Sequence, residues 1–254
     1  MRNVLLTVEY DGTAYAGWQV QPNGLTIQQV VEEALARLLG EEVRLYSSGR
    51  TDAGVHARAM AACFRTSRTI PLKAFTAGLN SHLPPDIAIR GAVEVPPGFN
   101  PRREAVAKHY RYSLHLGPDR SPLRRLYAWH LRGPLDLSAM RAAAERFVGD
   151  HDFAAFRATG CAAKTTCRTI RSLEIVEEDD LMHLNVVGTG FLKNMVRVMV
   201  GTLVEVGLGR RSPEEISELL ACGDRRLSGI TAPPQGLCLM EVFFSGTVPQ
   251  DSAG

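Results

Sequence analysis

The chain has 254 residues, 45% apolar and 22% charged, with a formal net charge of +2, so it is long enough for one large core or two smaller ones and too nearly neutral to announce a nucleic-acid partner by charge alone. Its five cysteines are an odd number with no C-x-x-C spacing, which argues against a disulfide framework or a zinc site. No apolar run approaches the roughly 18 residues of a membrane span, and the start "MRNVLLTVEYDG" does not resemble an export signal, so the expected compartment is the reducing cytoplasm.

Residues 4–10 are apolar and β-branched enough for a strand, and "DGTAYAGWQVQPNG" behind them is a long loop of turn residues. A helix follows, with Thr26 and Gln29 as a capping box, Ile27, Val30, Val31, Ala34, Leu35, Leu38 and Leu39 on one face, and Gly40 at the end. Short strands are predicted at 43–47 and 60–66, so that "SSGRTDAGVHARAM" connects neighbouring strands. A second helix from about Pro71 and a strand at 87–95 come next, then the alternating "HYRYSLHLG". Along that strand Tyr110, Tyr112, Leu114 and Leu116 share one face, and His109, Arg111, Ser113 and His115 the other.

The order then repeats loosely. A helix is predicted over 137–148, strands over 169–176 and 181–187, and a mostly apolar helix beginning at Phe191. "SPEEISELLACG" reads as a helix capped by Ser212, with Pro213 in the first turn, Glu215 closing the box and Gly223 after the end. A strand over 237–244 finishes the pattern. Strands paired around helices twice over predict an α+β protein of two ferredoxin-like or RRM-like halves, each an antiparallel sheet with helices on its outer face. The composition changes at "PPGFNPRREAVA", which divides the chain into residues 1–103 and 104–254.

Charge is unevenly spread. Residues 101–132 hold seven arginines and Lys108 against Glu104 and Asp119, a local net of +6. Such a face suits a polyanion through counterion release, and it also suits a solvated arginine-rich loop. There is no G-x-x-x-x-G-K-[ST] loop, "GTGFLK" lacks the third glycine of a dinucleotide fingerprint, and neither H-E-x-x-H nor G-x-S-x-G occurs. Nucleotide cofactors and a metal centre are therefore not expected.

Asp52 in "SSGRTDAGVHARAM" has two readings. An aspartate before Ala-Gly stabilises a tight turn through its own carboxylate. Counted with Arg50, Gly49, Gly54 and His56, it also has the makings of a loop that meets a nucleic-acid strand, because the arginine supplies a phosphate ligand and the glycines permit close backbone approach.

"SSGRTDAGVHA" resembles the signature of the tRNA pseudouridine synthase A family. "YDGTAYAGWQVQ", "KHYRYSL", "DFAAFRA", "FLKNMVRVMVGTLVEVG" and "APPQGLCL" are similar to further blocks of that family, in its order. The resemblance implies the pseudouridine synthase fold and the isomerisation of uridine to pseudouridine at positions 38, 39 and 40 in the anticodon stem-loop of tRNA. It further implies no cofactor, no metal, and a homodimer whose basic clefts hold the tRNA. By the same resemblance Asp52 aligns with the catalytic aspartate, Tyr110 with the active-site tyrosine, Arg197 with the basic residue that pairs with the aspartate, Arg50 with the arginine that holds the target nucleotide out of its helix, and Leu237 with the apolar lining of the base pocket. Arg102, Arg103 and Arg111 are candidates for gripping the RNA. Asn194, where the family often has histidine, and Cys238, where it often has an aromatic residue, depart from the pattern.

The chemistry makes these roles intelligible. The N1–C1′ bond breaks and the uracil rejoins through C5, so an ionised carboxylate is needed to attack C1′, to attack C6, or to take a sugar proton and give a glycal; these routes stay open. Burial would raise the carboxyl pKa and a guanidinium would lower it, and Arg197 in "MVRVMVGTLV" would be costly to bury without a partner. A tyrosine at 110 offers the uracil a flat face and an oxygen for the C5 proton, whereas Tyr112 is assigned to the core. Rival readings are a synthase for another RNA site and a non-catalytic tRNA-binding or folding module.

Overall fold

The computed structural model describes residues 1–161 and 163–246 and divides the chain into two compact units, Met1–Val106 together with the chain from Cys238 on, and Ala107–Leu237. The sequence division at 103/104 assigns the last strand to the second half, whereas this strand clusters with the first unit.

In the first unit β1 (Arg2–Tyr10) lies between β3 (His56–Thr66) and β4 (Ile87–Val95), antiparallel to both. The other edge of β3 is shared. β2, only Tyr46–Ser47, pairs with Ala62 and Cys63, and β10 (Leu237–Phe244) runs parallel beside His56 and Ala57. The expectation of purely antiparallel sheets is thus corrected to a mostly antiparallel one. Val4, Leu6 and Val8 meet Met60, Ala62 and Phe64 on one fully buried face, while Leu5, Ala61, Cys63, Val95 and Phe99 form a second cluster with Val242 and Phe244. Burial on both faces explains why apolar residues are adjacent in this strand, Val4, Leu5 and Leu6 running in succession instead of alternating with polar ones.

Helix α1 (Ile27–Leu39) begins and ends where its caps place it. The Thr26 hydroxyl accepts the Gln29 N–H, and Gly40 closes the helix in the left-handed region, its N–H bonded to Ala36 O. Only half of the expected capping box forms, because the Gln29 side chain reaches forward to Glu33 instead of back to the cap. The helix predicted from Pro71 is two short pieces, a 3-10 turn (Leu72–Phe75) and α2 (Ala77–Asn80), followed after β4 by α3 (Pro101–Glu104).

The second unit orders its strands β5 (Ala105–Leu116), β9 (Leu181–Gly188), β8 (Cys167–Glu178) and β7 (Gly149–Asp152), all antiparallel neighbours, with β6 (Trp129–Leu131) parallel to β5. Tyr112, Leu114, Met182, Leu184 and Val186 are fully buried on one face. On the other face the Asn185 side-chain oxygen is shared by His109 and Arg111, as the period-2 reading of β5 requires. Helix α4 (Leu137–Glu145) packs on β8 and on α5 (Met195–Gly207). α5 starts four residues later than its apolar run suggests, because Asn194 takes φ 61° and breaks the helical path. α6 (Glu215–Cys222) also starts late, with Glu214 at the cap position in place of Ser212. Glu215 still accepts the Ser212 N–H, and Gly223 ends the helix at φ 68°.

Candidate active site

Asp52 lies on the connection from β2 to β3, half-buried, in a turn closed by its own carbonyl oxygen accepting the Val55 N–H (3.2 Å) with Gly54 at φ 75°. The turn that "TDAG" forecasts is present, but the backbone carbonyl of Asp52 closes it in place of the expected carboxylate. The register of β1 on β3 slips beside it, two residues of β1 spanning three of β3 between Val8↔Met60 and Tyr10↔Ala57, a bulge that re-aims the chain leading out of the turn. His56 is buried at the first position of β3 and closes on the Asp11–Gly12 turn, its Nδ1 3.0 Å from Gly12 N and 3.1 Å from Asp11 Oδ1. Arg50, two residues before Asp52, is exposed and has no hydrogen-bond or ion-pair partner among the described residues.

The second unit holds Tyr110, Arg197 and Leu237. Tyr110, mid-way along β5, is 8% exposed and meets the edge of Phe191 with ring centroids 5.0 Å apart and planes at 79°. Sequence reasoning took Phe191 only as a helix start; because α5 begins later, Phe191 is free of the helix and buttresses the tyrosine ring. Arg197, half-buried in the first turn of α5, donates from Nε to Ala232 O (2.7 Å) and from a terminal nitrogen to Asn194 Oδ1 (3.1 Å). Asn194 therefore has two local jobs, adopting the left-handed conformation that asparagine tolerates better than most residues and orienting the guanidinium.

The strand of chain before Leu237 is held from the same side. Tyr112 donates its hydroxyl to Pro233 O (2.8 Å), and a Cβ on Gly236 would stand 2.5 Å from the Tyr112 ring. Burial drives the Tyr112 phenol far above its ordinary pKa, outweighing the opposing pull of the nearby Arg197 charge, so it stays a neutral donor. Its assignment to the core is right, with the addition that it anchors residues 232–237, where Leu237 is 6% exposed. Tyr112→Phe is expected to lower stability by about 1–2 kcal/mol, read as a lower midpoint in a urea melt, since it removes the hydrogen bond while leaving the ring in place.

The arginines of 101–132 have separate fates. Arg102 and Arg103 are exposed on α3, whose cap is the Asn100 side chain bonded to Arg102 N. Arg111 donates from Nε to Asn185. Arg124 pairs with Asp180 (2.6 Å), which also lies 3.0 Å from His115, and Arg125 bonds to Pro122 O. Part of the charge seen in the sequence is thus used to fold the 117–131 connection. Among the described residues no group of three or more His, Cys, Asp or Glu side chains is placed to hold a metal ion, and no helix is long and apolar enough to cross a membrane.

The family model described as tRNA pseudouridine synthase matches residues 6–102 and 143–245. The chain belongs to the tRNA pseudouridine synthase family. Among its relatives, a protein named tRNA pseudouridine synthase A from Citrifermentans bemidjiense is 62% identical over 245 residues, covering 96% of this chain and 98% of the relative. Proteins of the same name from Geobacter sulfurreducens (60% identical, 96% of this chain and 100% of the relative) and Myxococcus xanthus (52% identical, 100% and 96%) match as fully. Among solved structures, an H/ACA RNP bound to a substrate RNA containing 2′-deoxyuridine aligns with 12% identity and a TM-score of 0.40 over 80% of this chain and 44% of that one. The family model spans Asp52, Arg197 and Leu237 of this pseudouridine synthase, whereas Tyr110, Arg103 and Arg111 lie between its two matched stretches.

Proposed function

We propose that this chain isomerises uridine to pseudouridine at positions 38, 39 and 40 in the anticodon stem-loop of tRNA, with Asp52 as the catalytic carboxylate. The observation that carries the reading is the "GRTDAG" loop itself, which keeps Asp52 half-buried on a tightly fastened turn inside a region matched by the family model. The names of relatives at 52–62% identity over nearly the whole chain support tRNA as substrate.

In this reading a uridine leaves its stack, at a cost of a few kcal/mol that protein contacts offset. Arg50 holds the displaced nucleotide, and its exposed guanidinium, with no partner among the described residues, suits a phosphate. Arg102, Arg103 and Arg111 contribute further backbone contacts, so that shape and phosphates select the folded tRNA. Asp52 acts ionised, with Arg197 proposed as the cation that favours that state. The N1–C1′ bond breaks, the uracil turns, C5 bonds to C1′, N1 gains a proton and C5 loses one. Tyr110 is proposed to present its ring to the uracil and its oxygen to the departing C5 proton, and Leu237 to line the base pocket.

We also read the first unit as ferredoxin-like, supported by its strand order β4-β1-β3-β2 with helices after β1 and β3, and we retain residues 1–103 and 104–254 as the functional halves, working as a homodimer in the cytoplasm. The test uses an unmodified tRNA transcript tritiated at uracil C5. The purified protein alone is expected to release label, and mapping of the product is expected to find pseudouridine at 38, 39 or 40. Release with modification elsewhere would make it a synthase for another site; no release from any tRNA, with binding intact, would make it a tRNA-binding module.

A further inference from the structure

We infer that the segment from Tyr10 to Trp18 is a positioning clamp for Asp52, and that the Tyr10 hydroxyl is its positioning group, acting through Thr51. The inference rests on the proposed catalytic role of Asp52 and extends it to residues that do not touch the substrate.

The clamp grips the catalytic turn on both sides of Asp52. On the N-terminal side, Thr51 is held three ways. Its hydroxyl shares a buried 2.8 Å hydrogen bond with the Tyr10 phenol, its carbonyl accepts the Trp18 N–H at 3.1 Å, and Gly17 packs so closely that a Cβ there would stand 2.6 Å from Thr51 O and 3.1 Å from the Asp52 carbonyl carbon. Gly17 sits at φ 96°, open to glycine and strained for other residues. On the C-terminal side, a Cβ on Gly12 would come within 2.0 Å of Val55 O, and the His56 ring closes on Asp11 and Gly12.

The clamp is itself fastened to rigid elements. Ala16 N, Gly17 O and Trp18 O bond to Leu25, Ile27 and Gln28 at the start of α1. Asp11 N donates to Asp86 O, and Tyr15 donates its hydroxyl to the Asp86 carboxylate, with its phenol held protonated by burial and by that carboxylate. Tyr10 and Trp18 pack with ring centroids 5.9 Å apart and are 3% and 1% exposed. A loop of turn residues that would otherwise drift is thereby tied to the sheet, the helix and β4 before it reaches Thr51. The use is clear from the tolerance of bond-making catalysis, where a displacement of about 1 Å at the reacting group lowers rate roughly 10²-fold.

Tyr10→Phe, Thr51→Val and the double variant separate positioning from folding. Tyr10→Phe strands the buried Thr51 hydroxyl and Thr51→Val removes the hydroxyl that the Tyr10 phenol bonds, so each single variant is expected to melt lower, whereas the double variant, with both partners apolar, is expected to regain most of the melting temperature. Tritium release should slow about 10-fold or more in kcat for both singles, with KM for tRNA within twofold of wild type. In the double variant kcat should stay low although stability has returned, and the two effects on kcat should not multiply, since they remove one hydrogen bond. Wild-type kcat in the singles, or a kcat that recovers with the melting temperature in the double, would overturn the clamp alone. A wild-type protein that releases no tritium would overturn the catalytic reading beneath it as well, and the two failures are therefore distinguishable.

Discussion

Asp52→Asn is expected to lower tritium release from C5-labelled tRNA by roughly 10⁴-fold or more, the scale on which loss of a covalent catalyst is felt. The substitution nearly conserves shape and leaves the backbone fastenings of the turn in place. The bond from Val55 N to Asp52 O is a backbone contact, and the grips on Thr51 and Val55 do not involve the carboxylate. What disappears is the negative charge, which attack at C1′, attack at C6 and glycal formation all require. Binding of tRNA, followed by filter retention, should stay within about threefold, because phosphate contacts dominate affinity and one carboxylate contributes no favourable term to them. A variant that turns over at a tenth of the wild-type rate would remove the carboxylate from the chemistry.

Gly201→Ala is expected to be the most damaging small substitution in the second unit. Gly201 lies mid-way along α5, where a Cβ would stand 1.9 Å from the Ile230 carbonyl oxygen. Neither side yields easily. Gly229 packs against the backbone of residues 201–202, its N–H bonds to the Thr202 hydroxyl, and Ala232 exchanges hydrogen bonds with Arg197. Overpacking of this kind costs about 1–3 kcal/mol, and a backbone neighbour places this site at the upper end. For a chain of this size that corresponds to a loss of roughly 5–10 °C in melting temperature, measured by calorimetry. Activity should fall further than stability accounts for, because the displaced segment carries the carbonyl that orients the Arg197 side chain. Equal activity per folded molecule would show that this carbonyl does not set the arginine.

The element pattern was readable where local chemistry decides it. β4 and β10 occupy the predicted residues 87–95 and 237–244, and α1 runs between its Thr26 and Gly40 caps. Misjudged boundaries share a cause. α5 begins after Asn194, not at Phe191, because hydrophobicity reports burial and not backbone path, whereas the helix start is set by the left-handed backbone at Asn194. Likewise β3 begins at His56, not Met60, since β10, distant in sequence, supplies the pairing at 56 and 57.

The amino-acid order by itself determined the α+β alternation, the turn at Asp52 and, through its ordered blocks, the family, because caps, periodicity and short motifs act over a few residues. Only the tertiary structure decided that residues 10–18 enclose Thr51 and Asp52, that Phe191 supports Tyr110, that Asn194 and Ala232 hold Arg197, and that Arg124 is spent on Asp180 while Arg50 is not. Apart from the Asn194 bond to Arg197, these contacts join groups more than 30 and up to about 80 residues apart along the chain, and they depend on backbone distances of a fraction of an ångström that no residue type carries alone.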